Sequence, residues 1–209
     1  SDVCSSDLFK DLKDPNAYNV DRAKQLLAED GWKDTDGDGI LDKDGKPLTF
    51  NFVVYNSRAE LPLYAEAVQA DLKKVGIDMK IKTVDYNLID KMGQDGHYDM
   101  LISNIVTANT GDPIWFLANY WHTNDNGSNP QNGSGYSNPQ VDQLLDAAET
   151  EFDPAKRRDY AIQIQQLLMN DGAALFLGYP KTNIVTGSYL KGAVMYPSDY
   201  YWITNKITK

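Results

Sequence analysis

Apolar positions along this chain switch between two spacings. Leu48, Phe50, Phe52 and Val54 alternate with Thr49, Asn51, Val53 and Tyr55, a period of two that predicts a strand. Leu61, Tyr64, Ala65, Val68, Leu72 and Val75 then recur at helical spacing up to Gly76, after which Ile77, Met79 and Ile81 alternate with Asp78, Lys80 and Lys82. Strand, helix and strand in this order must close as a right-handed crossover between parallel strands, so the fold class is α/β. The start of the helix stays open, because Ser57 with Glu60 would form a capping box whereas Pro62 prefers the first helical position. Upstream, Asn19 can cap a helix carrying Val20, Ala23, Leu26 and Leu27 on one face, with Gly31 as its left-handed stop.

Downstream, a helix is expected around 87–92 and a buried third strand over 98–106. Asp112-Pro113 then starts a helix through Trp115 and Phe116, which gives Asp112 a structural role as N-cap. Residues 122–135 are almost wholly Asn, Gly, Ser, Asp, Thr, Gln and Pro, and read as a long exposed loop without core residues, the expected hinge or lid. Ser137 with Gln140 offers a capping box for a helix carrying Val141, Leu144, Leu145 and Ala148, and Asp153-Pro154 starts another carrying Ile164, Leu167 and Leu168. The short apolar runs 173–177, Ile184-Val185 and Val194-Met195-Tyr196, separated by Gly and Pro, predict strands.

Composition narrows the function classes. With 209 residues, 42% hydrophobic and 24% charged, the chain can bury a core as one large domain or two small ones. Twenty Lys and Arg against thirty Asp and Glu leave a net charge of −10, which argues against nucleic acid as a partner. No apolar run approaches the roughly 20 residues that span a bilayer. Residues 1–8, SDVCSSDL, match one reading frame of a common sequencing adapter and are read as a non-native scar, which implies a longer protein cut on its N-terminal side. Cys4 lies in that segment and is the single cysteine, so neither a disulfide nor a cysteine nucleophile is expected.

Ligands of open α/β sheets bind beyond the carboxyl ends of the strands. Two such ends are legible: Tyr55, Asn56 and Arg58 after the first strand, and Asn104, Thr107 and Asn109 after the third. Arg58 can clamp a carboxylate with two parallel hydrogen bonds or simply be a solvated arginine at a helix start. Trp115, Tyr120 and Trp121 could wall a cleft; helical spacing sends Trp115 to the core and leaves Trp121 placed for exposure. His122, where the polar loop begins, and His97 are scattered and form no metal cluster.

The segment Asp34-Thr35-Asp36-Gly37-Asp38-Gly39-Ile40-Leu41-Asp42 fits a Ca2+ loop, with Asp34, Asp36 and Asp38 at alternating positions and Asp42 as a water-bridged ligand. Gly45 stands where the bidentate glutamate belongs, and no second helix follows, so the alternative is an acidic hairpin leading into the strand at Leu48. No cofactor is required for function; the ion would staple a loop. A hydrolase using two carboxylates among Asp85, Asp95, Asp99 and Asp112 is a competing reading, which needs them roughly 5–10 Å apart in one pocket. A calcium-dependent interaction module is another.

Four segments, residues 18–32, 63–78, 98–101 and 135–145, occur in an order and spacing that resembles the C-terminal half of the family 5 (peptide/nickel/opine type) solute-binding proteins of ABC importers. The resemblance implies the C-terminal lobe of a bilobal, type II periplasmic-binding-protein-like fold, with a mixed sheet flanked by helices. Residues 9–180 would form the substrate-binding lobe and 181–209 strands returning to the other lobe. It further implies an extracytoplasmic protein, periplasmic or lipid-anchored and monomeric at full length, that captures a peptide or a nickel or other metal chelate without transforming it and delivers it to ABC permease subunits. Peptide-binding relatives carry an aspartate for the ligand's amino group where this sequence has Asn109, which weakens a dipeptide reading. Residues 57–62 and 199–203 look more like the nickel, metallophore or opine branch, where a histidine near the position of His122 reaches the metal complex. One lobe alone is expected to bind such ligands weakly.

Overall fold

The period-two run folds as the middle of the sheet. In a computed structural model, which describes residues 12–96, 98–106, 112–179, 183–194 and 204–209, helix α1 (Val20–Glu29) precedes a short hairpin of β1 (Asp42–Lys43) and β2 (Lys46–Pro47). Strand β3 (Thr49–Tyr55), helix α2 (Glu60–Lys73), strand β4 (Asp78–Val84), a 3-10 turn (Tyr86–Leu88), helix α3 (Ile89–Asp95) and strand β5 (Met100–Leu101) follow. Helices α4 (Pro113–Trp121), α5 (Pro139–Thr150) and α6 (Pro154–Asn170) complete the order. β3 pairs in parallel with β4 from Thr49↔Asp78 to Tyr55↔Val84, and with β5 at Phe52↔Met100 and Val53↔Leu101. The α/β expectation and the crossover therefore hold.

Because β3 is central, both of its faces are covered: Phe52 and Val54 on one, Val53 and Tyr55 on the other, are all buried. Leu61 and Ala65 of α2, Met79 of β4, Ile89 of α3 and Ile102 join this core. At the amino ends of the strands, Leu48, Val75 and Ile77 form a smaller cluster against Val20, Ala23 and Leu27 of α1. A separate cluster lies between α4, α5 and α6, built on Ile114, Leu117, Trp121, Val141, Leu145, Ala161, Ile164 and Leu168.

Local chemistry sets the helix ends. Asn19, Asp112 and Asp153 cap α1, α4 and α6 through their side chains, as their positions ahead of the apolar runs require. The α5 cap differs from expectation: Asn138, next to Pro139 at the first helical position, accepts from the Gln140 amide, while Ser137 accepts from the Thr123 hydroxyl instead. Neither reading of the α2 start holds. Ala59 is the N-cap without a side-chain bond, and Pro62 sits in the first turn, where a missing N–H costs nothing.

Three further expectations are corrected. The third strand is only Met100–Leu101, extended by the Ile102 amide donating to the Val53 carbonyl; the Asn104 amide then turns to the Tyr55 hydroxyl, which ends the pairing. The runs after Ala173 form no strand among the described residues, where Leu175, Phe176, Tyr179 and Val185 are exposed and only an isolated bridge joins Lys191 to Thr208; Met195 and Tyr196 lie outside the described residues. A strand without a partner cannot satisfy its backbone, so apolar spacing alone does not make one. The polar loop is not devoid of core, since Asn132 is 3% exposed. Its Nδ2 donates to the His122 and Tyr136 carbonyls at 2.9 and 2.8 Å, and its Oδ1 accepts from Ser134. Asn129 adds donations to the Ala118 and His122 carbonyls, satisfying the carboxyl end of α4.

Asn132→Ala would take the side-chain donor from the Tyr136 carbonyl and leave the His122 carbonyl to Asn129 alone, and is expected to destabilise the protein by about 2 kcal/mol and lower the thermal midpoint by roughly 4–8 °C. Thermal denaturation followed by circular dichroism reads this directly. An unchanged midpoint would show that water replaces the amide at no cost.

Candidate functional site

Parallel pairing brings the carboxyl ends of β3, β4 and β5 to one edge of the sheet, and the residues expected to bind ligand sort themselves there. Asn56 and Arg58 follow β3 in the exposed turn before α2. Tyr55 itself is buried, with only its hydroxyl reaching the edge, where it accepts from the Asn104 amide at 3.1 Å. That bond ties β3 to the chain leaving β5. Burial raises the Tyr55 hydroxyl pKa, opposed by the Asn104 amide; the Tyr86, Arg58 and Glu60 side chains all lie within electrostatic reach of it. Tyr86, just past β4, packs edge-on against the Tyr55 ring with centroids 5.1 Å apart and stays 54% exposed. Sequence reasoning passed over Tyr86; its place two residues past the end of β4 is the signal that could have found it. Thr107 and Asn109 lie outside the described residues, as does His97.

The two tryptophans depart from the roles expected of them. Ile114, Leu117 and Trp121 share the buried face of α4, so Trp121 is core, edge-on to Tyr136 at 5.8 Å, and it forms no wall of a cleft. Trp115 is partly buried and lies outside that cluster. His122, at the carboxyl end of α4, sits between two elements: Nδ1 is 3.2 Å from the Thr123 carbonyl and 3.6 Å from Asp142, and Nε2 is 3.3 Å from Asp146. Both ring nitrogens face acceptors, an arrangement that only the doubly protonated imidazolium satisfies. Burial opposes that charge, but the Thr123 carbonyl, the Asp146 hydrogen bond and the two carboxylate charges outweigh it, and the His122 pKa is raised. Asp142 also accepts from the Thr123 amide and hydroxyl, so the imidazole belongs to the junction of α4, the polar loop and α5.

The acidic loop stands at the opposite end of the sheet. Leu41 donates its amide to the Gly76 carbonyl and Leu48 its amide to Leu41, which docks the loop at the amino ends of β3 and β4. Gly76 has φ +80°, and a Cβ there would lie 2.7 Å from Leu41 Cγ, so the docking needs glycine. One carboxylate oxygen each of Asp34, Asp36 and Asp42 falls within 4.8 Å of the others. Asp34 accepts from the Gly37 and Gly39 amides, winding the loop around its carboxylate. Asp38 stands apart from this group, its carboxylate accepting from the Ile40 amide. The hairpin is present: Asp44 and Gly45, both at positive φ, turn β1 into β2.

The carboxylates considered for hydrolysis serve separate local contacts. Asp85 accepts from the Asn87 amide, Asp95 pairs with Lys91, and Asp99 accepts from Asn51. Asp112 caps α4 and pairs with Arg157, whose guanidinium also donates to the Ala148 and Glu151 carbonyls. Among the described residues the edge offers neutral hydrogen-bonding groups, an aromatic ring and one arginine, a set that can hold a solute.

The sequence profile described as Bacterial extracellular solute-binding proteins, family 5 Middle, matches residues 5–128. The oligopeptide-binding protein AppA of Bacillus subtilis is 32% identical over 196 residues, covering 90% of this chain and 34% of AppA. The nickel-binding protein NikA of Staphylococcus aureus is 26% identical over 199 residues, covering 94% of this chain and 38% of NikA. Among solved structures, AppA in complex with a nonapeptide superposes with a TM-score of 0.81 at 29% identity, over 95% of this chain and 39% of AppA. S. aureus NikA in complex with Ni(L-His)2 superposes with a TM-score of 0.71 at 25% identity, over 92% of this chain and 38% of NikA. The chain thus spans about a third of the length of these relatives.

Tyr55→Phe removes the acceptor of the Asn104 amide and is expected to cost about 1 kcal/mol while leaving the core ring in place; chemical denaturation measures it, and hydrogen exchange at the Asn104 amide should quicken. For His122, a pKa raised by folding adds stability that is complete below the ordinary value of 6.5 and fades as pH rises through the folded value. The thermal midpoint of the parent should therefore exceed that of His122→Gln most at pH 5, with the gap narrowing steadily toward about pH 8. A gap that widens with pH would contradict the charged imidazole.

Proposed function

The chain belongs to the family 5 bacterial extracellular solute-binding proteins, and we propose that it is part of a protein that captures a small solute outside the cytoplasm and hands it unchanged to the permease subunits of an ABC importer. Its lobe offers what capture needs: a parallel sheet that fixes one edge, with Asn56, Arg58, Asn104 and the exposed Tyr86 along it. Among the described residues no helix is long and apolar enough to cross a membrane.

The solute we favour is a peptide. The observation that carries this is the higher similarity to AppA, solved with a nonapeptide, than to NikA, solved with Ni(L-His)2, in identity and in TM-score alike. Titration calorimetry on the protein as its gene encodes it should give dissociation constants of roughly 10 µM or tighter for peptides and weaker binding of Ni(L-His)2. Binding of the nickel chelate alone would move the protein to the metal-uptake branch, and cleavage of the peptide seen by mass spectrometry would overturn the reading of capture without chemistry.

We further propose that the loop of Asp34, Asp36 and Asp42 holds a structural Ca2+, which the convergence of three carboxylates supports, since crowded oxygens repel one another without a cation. Calcium at about a hundred times its dissociation constant would add about 2.7 kcal/mol and raise the thermal midpoint by roughly 5–10 °C. Chelator should reverse the shift and Asp36→Asn should abolish it; equal midpoints with calcium and with chelator would exclude the ion.

A further inference from the structure

Asparagine precedes glycine at two places in the chain, Asn126-Gly127 and Asn132-Gly133, both in the polar loop between α4 and α5. The pair is intrinsically reactive, because a glycine amide nitrogen, unhindered by a Cβ, can attack the side-chain carbonyl carbon of the asparagine before it. The fold treats the two copies differently. Asn132 is buried, its Nδ2 donates to the His122 and Tyr136 carbonyls, and its Oδ1 accepts from Ser134. The nucleophile is held as well: the Gly133 amide donates to the Gln131 carbonyl at 2.9 Å, and a Cβ on Gly133 would lie 3.2 Å from the Gly93 Cα of α3. Asn126 and Gly127, by contrast, are exposed at the middle of a tight turn, with φ +53° and +85°. The turn is closed at its ends, by the Ser128 amide donating to the Asp125 carbonyl at 3.0 Å and the Asp125 amide donating to the Ser128 hydroxyl at 3.0 Å. Among the described residues, neither the Asn126 side chain nor the Gly127 amide has a hydrogen-bond partner.

We propose that Asn126 is a site of spontaneous covalent modification, converting through a succinimide to aspartate and isoaspartate, while the bonds around Asn132 spare it. In the first step the Gly127 nitrogen bonds to the Asn126 Cγ, the Cγ–Nδ2 bond breaks, and ammonia leaves with the proton that the Gly127 amide gives up. Water then opens the ring. Breaking the bond from Cγ to the ring nitrogen leaves aspartate on an ordinary main chain; breaking the bond from the main-chain carbonyl carbon leaves isoaspartate, whose main chain runs one methylene longer. Either product places a second negative charge beside Asp125. The Asp-Gly pairs of the chain, Asp36-Gly37 and Asp44-Gly45 among them, react more slowly by the same route, because an ionised carboxylate is a poorer electrophile than an amide. Asn129 and Asn132, which hold the loop to the end of α4, lie outside the turn, so the modified protein keeps its fold.

The test is incubation of the protein as its gene encodes it in mildly alkaline buffer, native and in urea, with peptide mapping by mass spectrometry to follow the change from amide to acid at each asparagine. In the native protein Asn126 should convert at least about tenfold faster than Asn132, which must first open locally to react. In urea the two rates should come together, since both asparagines precede glycine. An isoaspartyl methyltransferase assay should label the aged native protein and give a much weaker signal with Asn126→Gln, whose longer side chain would have to close a less favourable six-membered ring. Equal native rates at the two positions, or a faster reaction at Asn132, would overturn the assignment. A native preference that persists unchanged in urea would overturn it too, because the fold would not be its cause, and so would undiminished methylation of Asn126→Gln.

Discussion

A parallel strand with neighbours on both sides has no face to give to water, and β3 is such a strand. Phe52, Val53, Val54 and Tyr55 are all buried, which obliges the chain to cover the sheet on both faces, and β4 and β5 run in the same direction as β3. The order β4-β3-β5 then follows from connections that leave β3 to one side and return past it to the other. Once direction is shared, the three carboxyl ends meet at one edge without further instruction. The position of Arg58, Tyr86 and Asn104 relative to one another is a consequence of what lies beneath them, and Tyr55 is the residue that belongs to both layers: its ring is in the core and its hydroxyl holds the Asn104 amide.

The second core, among α4, α5 and α6, is fastened to the first by polar contacts in place of a shared apolar interior. Lys13 and Asn16 exchange hydrogen bonds with Gln166 and Met169 of α6, while nearby Tyr18 donates to Asp71 of α2. Across the fold, the Tyr98 hydroxyl donates to the Gly133 carbonyl where Gly93 and Gly133 pass so closely that a Cβ on Gly133 would lie 3.2 Å from the Gly93 Cα. Asn132 and Asn129 hold the polar loop to the end of α4 close by. A loop rich in asparagine is here a wound and bonded element, because each amide side chain supplies donors that the carboxyl end of a helix lacks. Its composition suits it to that task as well as it would suit a lid.

What the sequence made legible is what short-range chemistry decides. Asn19, Asp112 and Asp153 announce their helices because a cap acts within three residues, and the β3–α2–β4 unit announces itself because both periods are unbroken. Distant partners decide the rest. The apolar stretch 98–106 pairs at two positions only, since β3 offers it no more once Asn104 turns toward Tyr55. Trp121 and not Trp115 is core because the buried face of α4 is set by where α5 and α6 lie, along Ile114, Leu117 and Trp121, and nothing within the helix says so. At the candidate site, Arg58 and Asn104 were readable as strand ends; Tyr86 was not, because its value comes from a neighbour thirty-one positions earlier in the chain, Tyr55, against which it packs.

The acidic loop and the ligand edge lie at opposite ends of β3, a strand of seven residues and so roughly 20 Å long. At that distance charge on the loop is screened from the edge by more than a Debye length at physiological salt, which removes direct electrostatic steering as a link between them. What remains is mechanical. The loop is docked through Leu41 on Gly76, the turn that feeds β4, and β4 at its other end leads into Asp85 and Tyr86. An ion that stiffens the loop would therefore act on the edge only by fixing the register of β4 against β3, a register that seven parallel pairs already determine. The sheet isolates the two ends from one another, and each is free to answer to its own chemistry.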